Sequence, residues 1–443
     1  MEATIDNARA DLLRIHGIEK DFMQPEEDWR SQLQTSEKGK IFSNAFNTLL
    51  ILRNDEQLQG KFAFNLLTGK PELIGEAPWS RLDATNAITD HDDSCLRNYL
   101  SMHYGIKSKD IVYDALNQIV SEKQYQPVRE YLKSVRDKWD RKPRLDTLLI
   151  DFMGADDTEL NRWQTRLALV GAVKRAFEPG CKFDYVLTLK GDQGVGKSSF
   201  IQTLAVNSEW FSDSLDDMRG KDAKEQLQGI WICELGEMAA VSKGDQKRTK
   251  QFITSTHDQY RPAYGRRTVN QPRQFIFIAT TNDEEPLKDD TGGRRWWIVE
   301  VKDKWFEKGP LEVDQIWAEA VYFYYEMKAK GEPLKLPDYL ENEARKIQTE
   351  NTDRGLYAEE IVYVLQRGYI EVNNFQGKTK LPINETCAFH VWESVLGRYR
   401  HDLKPVTARE INSTLKNIEG WECIGRKIFH PYGKQTVYRR RDR

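Results

Sequence analysis

The spacing of apolar positions predicts an α/β core in the middle of the chain. Between residues 183 and 301, short apolar strands alternate with helices and basic loops. Three of these strands lie in "FDYVLTLK", "GIWICELGEM" and "RQFIFIATTND", and a fourth covers residues 296–301. We therefore predict an α/β core, flanked by other domains.

Helical and strand patterns continue on both sides of this block. Helical periodicity occurs in "IVYDALNQIV", "QPVREYLKSVRDKW", "ELNRWQTRLALVGAVKRAF" and residues 312–330. Two segments, "FNTLLIL" and "KFAFNLL", predict short strands, and "DATNAITDHDDS" predicts a loop. Near the C-terminus, Thr407 is a candidate cap for a helix that Gly420 ends, and "WECIGRKIF" and "QTVYRRR" predict a hairpin. A helix followed by a basic hairpin is the order of a winged helix.

These patterns predict five regions. The predicted regions are a mixed α+β N-terminal domain (residues 1–125), a helical entry segment (126–182), the α/β core (183–305), a helical connector (306–356) and a winged-helix-like domain (357–443). A chain of 443 residues is too long for a single core, which agrees with several domains.

Composition narrows the function classes. The net charge of -3 means that any basic surface for nucleic acid must be local. Five separated cysteines without a CxxC motif argue against zinc and disulfides, and we interpret Asp90 to Asp93 as a solvated loop rather than a metal cluster. Without a membrane-length apolar run or a signal-like start, the sequence predicts a soluble protein of the cytoplasm.

The stretch "GDQGVGKS" matches the phosphate-loop pattern GxxxxGK[ST] after a strand and before a helix. In such loops, backbone N–H groups and the helix N-terminus hold the phosphates, a lysine reaches the β- and γ-phosphates, and a hydroxyl ligates Mg²⁺. The lysine here is Lys197 and the hydroxyl belongs to Ser198. The predicted ATP-binding residues are Gly191, Asp192, Gln193, Gly194, Val195, Gly196, Lys197, Ser198 and Ser199.

Two later strands carry further candidates for catalysis. Glu234 ends an apolar strand thirty-seven positions after Lys197, and Glu237 follows it. One carboxylate would hold Mg²⁺, with Ser198, while the other orients water; alternatively, Glu237 is a surface residue. Asn282 ends the next strand, where its side chain can reach the γ-phosphate or the water.

Arg294 and Arg295 follow a Thr-Gly-Gly turn and precede the fourth strand. We interpret them as an arginine finger that neutralises charge in the transition state, acting on the ATP of a neighbouring subunit. A basic turn on a solvated face is the alternative. The sequence lacks the LSGGQ of ABC-type ATPases and the NKxD of GTPases, and an asparagine-tipped strand before an arginine loop favours a ring motor over a small-molecule kinase.

Two basic regions are candidates for nucleic-acid contact. The first lies between the acidic and asparagine-tipped strands, and the second is the C-terminal hairpin. Packing within the core, for the first, and protein binding, for the second, are the alternatives. The candidate residues are Arg261, Tyr264, Arg266, Arg267, Arg426 and Lys427.

In these motifs the chain resembles the virulence-associated E family of phage and genomic-island proteins, which is related to superfamily III and poxvirus-type helicases. The motifs that carry the resemblance are "GDQGVGKS", "WICELGE", "YRPAYGRR", "ATTND" and "DDTGGRRWW". It implies an AAA+-like phosphate-loop core of the superfamily III type, in a protein of the bacterial host's cytoplasm. It also implies ATP at residues 191–199, Mg²⁺ and water at Glu234 and Glu237, the γ-phosphate at Asn282, and a finger at Arg294 or Arg295. It also implies a homo-oligomer, as a hexameric ring, on single-stranded DNA. The primase activity of larger relatives is not carried over.

Three functions compete at this point. The first is a ring-forming, ATP-driven DNA translocase or helicase in the replication of a phage or mobile element. The second is an ATPase switch that binds DNA or a host protein without unwinding, and the third is a non-catalytic interference protein. Turnover stimulated by nucleic acid separates the first from the third, and strand displacement separates the first from the second.

Overall fold

The computed structural model describes residues 28–81, 85–215, 220–236, 246–261, 268–284, 286–287, 293–351, 357–374 and 377–441. The chain divides into two compact units, Met1–Tyr131 and Leu132–Arg443. The strands are β1 Phe62–Asn65, β2 Lys70–Leu73, β3 Gln124–Tyr125, β4 Val186–Lys190, β5 Phe211–Ser212, β6 Ile232–Leu235, β7 His257–Tyr260, β8 Val269–Pro272, β9 Ile276–Thr281, β10 Trp296–Glu300, β11 Tyr369–Asn374, β12 Gly377–Pro382, β13 Glu385–Thr386, β14 Trp421–Phe429 and β15 Gly433–Arg440.

The α-helices of the described residues include those predicted around residues 109–122, 159–177 and 313–330. Their bounds are α1 Ala45–Asn54, α2 Asp90–Tyr104, α3 Lys109–Glu122, α4 Pro127–Arg136, α5 Leu148–Met153, α6 Glu159–Phe177, α7 Lys197–Leu204, α8 Gly220–Gln226, α9 Gln246–Thr254, α10 Val313–Lys330, α11 Asp338–Glu350, α12 Ala358–Arg367, α13 Ala388–His390 and α14 Pro405–Asn417. No helix among the described residues has the length and apolar character needed to cross a bilayer.

The N-terminal unit corrects two predictions. "FNTLLIL" was predicted as a strand, but it forms α1, which buries Asn47, Thr48, Ile51 and Leu52 along one helical face. The Asn47 amide donates to the carbonyls of Gln34 and Phe42, so this polar residue is buried with its hydrogen bonds satisfied. An apolar run of this length does not separate strand from helix by its periodicity, and the tertiary contacts decided.

The predicted loop at residues 90–93 is also wrong, because these residues open α2. Thr89 caps the helix through a capping box with Asp92. The acidic side chains of the first turn also interact favourably with the positive end of the helix dipole. Asp92 accepts hydrogen bonds from the side chains of Trp79 and Arg81. These contacts hold its pKa well below the usual range, against the opposing effect of burial. Among the described residues, no three or more His, Cys, Asp or Glu side chains are grouped so that they could hold a metal ion.

A five-stranded parallel sheet in the second unit confirms the predicted α/β core. The strand order is β10-β4-β9-β6-β5, with β4 paired to both β10 and β9 and with β6 paired to β9. The carboxyl ends of parallel strands meet at one edge of a sheet. The strand that ends at the phosphate loop, the acidic strand and the asparagine-tipped strand therefore converge there, as the sequence predicted for the last two.

Two buried tryptophans tie this sheet to the flanking helices. The indole of Trp231, just before β6, donates to the carbonyl of Ala172 in α6 at 3.1 Å. The indole of Trp317 in α10 donates to the carbonyl of Leu204 at the end of α7 at 2.9 Å. The two rings pack with their centroids 4.3 Å apart. Because α7 is the helix that follows the phosphate loop, α10 supports that loop from behind.

At the C-terminal end, the predicted hairpin is confirmed as β14 and β15, and β13 extends it into a sheet of order β13-β15-β14. The preceding helix, α14, begins at Pro405 rather than after Thr407, because proline is favourable at the first helical position. Its buried face carries Ile411 and Leu415, as the periodicity predicted. Assignment of this region to the winged-helix class stays a prediction.

Candidate functional site

The loop between β4 and α7 is tightly built into the edge of the sheet. The Gly191 N–H donates to the carbonyl of Thr281 at 3.1 Å, and the Val301 N–H donates to that of Lys190 at 2.7 Å. A Cβ atom at Gly191 would lie 2.1 Å from the Val301 carbonyl oxygen, so only glycine fits there. Gly194 and Gly196 adopt φ angles of 91° and 84°, which side-chain-bearing residues rarely adopt.

Lys197 is folded over the loop and linked to the asparagine-tipped strand. Its ammonium group donates to the carbonyls of Gly191 and Asp192 at 2.6 and 2.8 Å and to Asn282 Oδ1 at 2.8 Å. Burial lowers the pKa of Lys197, against the opposing charges of Asp192 and Glu234. An anionic phosphate beside this buried cation would therefore be stabilised strongly. The structure thus brings together Lys197 and Asn282, which the sequence had assigned to the same phosphate.

Glu234 connects the loop to two neighbouring strands. Its Oε1 accepts from the Ser198 hydroxyl and from the Thr280 hydroxyl, each at 2.7 Å. Its other oxygen, Oε2, is buried and has no hydrogen-bond partner among the described residues. A buried carboxylate oxygen without a donor is costly unless a cation compensates it. A serine hydroxyl next to this carboxylate is a donor set that fits Mg²⁺.

A cavity of about 500 Å³ lies over these groups. Besides the predicted residues, its wall includes Asp213 and Thr280, which the sequence analysis missed. Asp213 directly follows β5, the strand that pairs with β6, so its place at the site depends on strand order. The lining residues are Gln193, Gly194, Gly196, Lys197, Ser198, Ser199, Asp213, Glu234, Gly236, Thr280, Thr281 and Asn282.

Trp305 is another residue that the sequence analysis missed. Its indole N–H donates to the Ser199 hydroxyl at 3.0 Å, and its ring packs against Phe200. A Cβ atom at Gly196 would lie 2.9 Å from this ring, whereas one at Gly194 would meet nothing within 4 Å. The indole therefore braces the C-terminal half of the phosphate loop.

This difference yields a matched pair of substitutions. We expect Gly194→Ala to weaken ATP binding about 5- to 30-fold, since a left-handed residue costs roughly 1–2 kcal/mol and the loop must recover its shape to bind. Gly196→Ala should weaken it further, because Trp305 must also move. Equilibrium binding of a fluorescent ATP analogue measures both. Equal affinities of the two variants would contradict a bracing role for Trp305.

The predicted arginine finger does not lie at this site. Arg294 and Arg295 belong to a short 3-10 turn that precedes β10, at the amino end of a strand parallel to β4. They are thus at the opposite edge of the sheet from the phosphate loop of their own chain. Both line a second cavity of about 450 Å³, together with Tyr185 and Trp297, whose rings stack 4.2 Å apart. Arg295 Nε is buried there without a hydrogen-bond partner in the described part of the chain.

Seven predicted residues remain, of which the structure describes three. Glu237, Tyr264, Arg266 and Arg267 lie outside the described residues. Arg261 is exposed directly after β7, which pairs with β8 in an antiparallel hairpin. In the C-terminal sheet, the exposed residues Arg426 and Lys427 on β14 pair with Thr436 and Gln435. Nucleic-acid contact by any of these residues stays a prediction.

The part of the chain that contains this site matches a known protein family. Residues 132–353 match the family model described as the virulence-associated protein E-like domain. The chain belongs to this family. The match covers about half of the chain and includes the phosphate loop, the acidic strand, the asparagine-tipped strand and the arginine turn. The virulence-associated protein E-like domain therefore contains the whole candidate site, and the sequence-based prediction of the family is confirmed.

Two solved structures of the NrS-1 C-terminal region are also similar to the chain. The A-form apo structure (305-718) aligns with 86% of this chain and 96% of its own at 15% identity, with a TM-score of 0.41. A second apo structure aligns with 85% of this chain and 95% of its own at 14% identity, with a TM-score of 0.39. No curated protein matches the chain.

Proposed function

We propose that this virulence-associated E-like protein is a Mg²⁺-dependent ATPase that moves along or unwinds DNA in the replication of a phage or mobile element. The observation that carries the proposal is the bonded set of polar side chains over three adjacent strand ends. Lys197 contacts Asn282, and Ser198 and Thr280 both contact Glu234. Phosphoryl transfer needs groups that hold phosphate, metal and water in fixed positions, and it needs little covalent chemistry from the protein.

Each residue has a distinct role in the proposed reaction. The loop N–H groups and Lys197 would hold the phosphates, and Ser198 and Glu234 would hold a Mg²⁺ ion that neutralises phosphate charge. Asn282 would move from Lys197 to the γ-phosphate or the attacking water. Asp213 is a further acid in the same cavity, suited to a metal-bound water. Glu237 remains our candidate for orienting the attacking water.

Ring assembly and an AAA+-like core of the superfamily III type are part of this proposal. What supports them is the separation between the phosphate loop and Arg294 and Arg295, which lie at opposite sheet edges. A finger that cannot reach the nucleotide of its own chain requires a neighbouring subunit, and a closed ring supplies one to every site. A hexamer is the ring size we propose, with the winged-helix-like C-terminal region loading the strand.

The deciding experiment measures phosphate release with and without single-stranded DNA, and then strand displacement from a tailed duplex. We expect Mg²⁺-dependent hydrolysis that single-stranded DNA stimulates, together with displacement that requires ATP. Hydrolysis without displacement would favour the switch that binds DNA or a host protein. Absence of hydrolysis under both conditions would overturn the proposal and leave a non-catalytic protein.

A smaller prediction concerns the C-terminal hairpin. If Arg426 and Lys427 contact phosphates, the double variant Arg426→Gln/Lys427→Gln loses two counterion-releasing contacts. The slope of log K against log salt should then become shallower by about 1.4, at roughly 0.7 for each contact with a single strand. Titration of labelled oligothymidine at several salt concentrations measures this slope. Lys330→Gln, an exposed lysine on α10, is the control, and an unchanged slope in the double variant would instead indicate a protein-binding hairpin.

A further inference from the structure

A third cavity, of about 380 Å³, lies away from the phosphate loop and has no role in the proposed reaction. It is formed by the C-terminal end of α4, by the segment that follows α4 and by one face of α10. We call it the Trp139 pocket. The residues that line it are Arg136, Asp137, Trp139, Arg141, Tyr322 and Tyr325.

Aromatic rings and guanidinium groups alternate in the Trp139 pocket. The rings of Trp139 and Tyr322 lie 4.9 Å apart, and the Arg141 guanidinium lies 5.3 Å from the first and 5.7 Å from the second. The Arg136 guanidinium lies 5.1 Å from the ring of Tyr325. Both tyrosines are 40% exposed although their rings are large and apolar. Stacked guanidinium groups keep their N–H edges available for a ligand.

The segment that carries Trp139 and Arg141 is firmly attached to α10. The carboxylate of Glu319, which is 1% exposed, accepts from the backbone N–H groups of Arg144 and Leu145 at 2.7 and 2.9 Å. Gln315 accepts from the Asp140 N–H at 2.9 Å and donates to the Lys138 carbonyl at 3.1 Å. These bonds anchor both ends of the segment on the helix that bears the tyrosines. The pocket is therefore formed before any ligand binds.

Arg141 itself has an unusual backbone. Its φ angle is 68°, in the left-handed region that favours glycine. A non-glycine residue persists in this region only where the surroundings impose it, and such residues concentrate at binding sites. Here the exposed Arg141 side chain places its guanidinium over two rings.

We propose that the Trp139 pocket binds an unstacked base of single-stranded nucleic acid, with the flanking phosphates on Arg136 and Arg141. Bases stack readily on aromatic and guanidinium planes, whatever their sequence. The charges favour this ligand over a proline-rich peptide. Such a peptide could pack on the rings, but it carries no phosphates for the two arginines to bind. Asp137 is the acidic residue in the wall; its carboxylate is exposed and 3.3 Å from Arg136, so phosphate would compete with it for that arginine.

The first test is anisotropy of labelled oligothymidine with the full chain and no nucleotide present. Because stacking of one base contributes about 1–3 kcal/mol, Tyr322→Ala/Tyr325→Ala should raise the Kd roughly 5- to 150-fold. Tyr322→Phe/Tyr325→Phe keeps the rings and should bind as the wild type does. Tyr339→Ala removes an exposed tyrosine outside the Trp139 pocket and is the control. Unchanged affinity of the double alanine variant would overturn the proposal.

The second test separates phosphate contact from packing. Arg136→Gln/Arg141→Gln should make the salt slope shallower by about 1.4, whereas Arg162→Gln, whose side chain pairs with Asp157, should leave it unchanged. The proposal would be overturned if loss of the Tyr322 ring weakened binding of a labelled proline-rich peptide but left DNA binding unchanged. Both assays measure oligothymidine binding without ATP. A protein that binds oligothymidine through this pocket but does not hydrolyse ATP would therefore contradict the proposed function and not the pocket proposal.

Discussion

Lys197→Ala should reduce ATP hydrolysis by roughly 10²- to 10³-fold, the loss typical of removing one preorganised charged or polar donor. In the structure this ammonium group is buried beside the loop and bonded to Gly191, Asp192 and Asn282. No other cationic side chain among the described residues lines the cavity. Alanine would therefore leave charge that develops on the γ-phosphate without its side-chain counterion. Steady-state phosphate release at saturating ATP and Mg²⁺ is the measurement.

The control for this substitution must remove a lysine without touching the loop. Lys302→Ala does so, because Lys302 is exposed and pairs with Asp156. Thermal unfolding of both variants separates a catalytic defect from a folding defect, since Lys197→Ala also removes a donor from three oxygen atoms. Hydrolysis by Lys197→Ala near the wild-type rate would remove the motor proposal entirely.

Arg294→Ala/Arg295→Ala should reduce hydrolysis by about 10³- to 10⁵-fold, the usual contribution of an arginine finger. The five residues of β10 separate these arginines from the phosphate-loop edge, which at ~3.3 Å per residue is roughly 16 Å. This distance exceeds the reach of an arginine side chain. If the arginines act in catalysis, they must act on the nucleotide of a neighbouring subunit.

Mixing two inactive proteins tests this directly. Lys197→Ala protein keeps its arginines, and the double arginine variant keeps its phosphate loop, so mixed rings contain some interfaces in which both are intact. We expect part of the hydrolysis to return on mixing, with each protein nearly inactive alone. No recovery despite verified co-assembly would contradict a shared site. An Arg345→Ala variant, which alters another arginine of the same cavity, controls for general damage to that surface.

The local signals in the sequence were sufficient to predict the central strands and the type of site. An apolar strand, a glycine-rich loop and a helix are consecutive in the chain, so "GDQGVGKS" was interpretable without tertiary contacts. The acidic and asparagine-tipped strands could also be predicted, because a short sequence segment is enough to recognise an apolar strand that ends in a polar residue. Where the apolar run was short, as in α1, the same method failed.

Tertiary structure decided which of these segments meet. The order β10-β4-β9-β6-β5 inserts β9 between the phosphate-loop strand and the acidic strand, so that Thr280 reaches Glu234 while Asn282 reaches Lys197. The same order brings in Asp213, and the chain beyond β10 adds Trp305. The Trp139 pocket joins segments separated by more than 170 positions through Glu319. Such contacts depend on strand pairing and helix packing over long separations, which no local periodicity encodes; the sequence alone determined the chemistry of each segment, and the fold determined its partners.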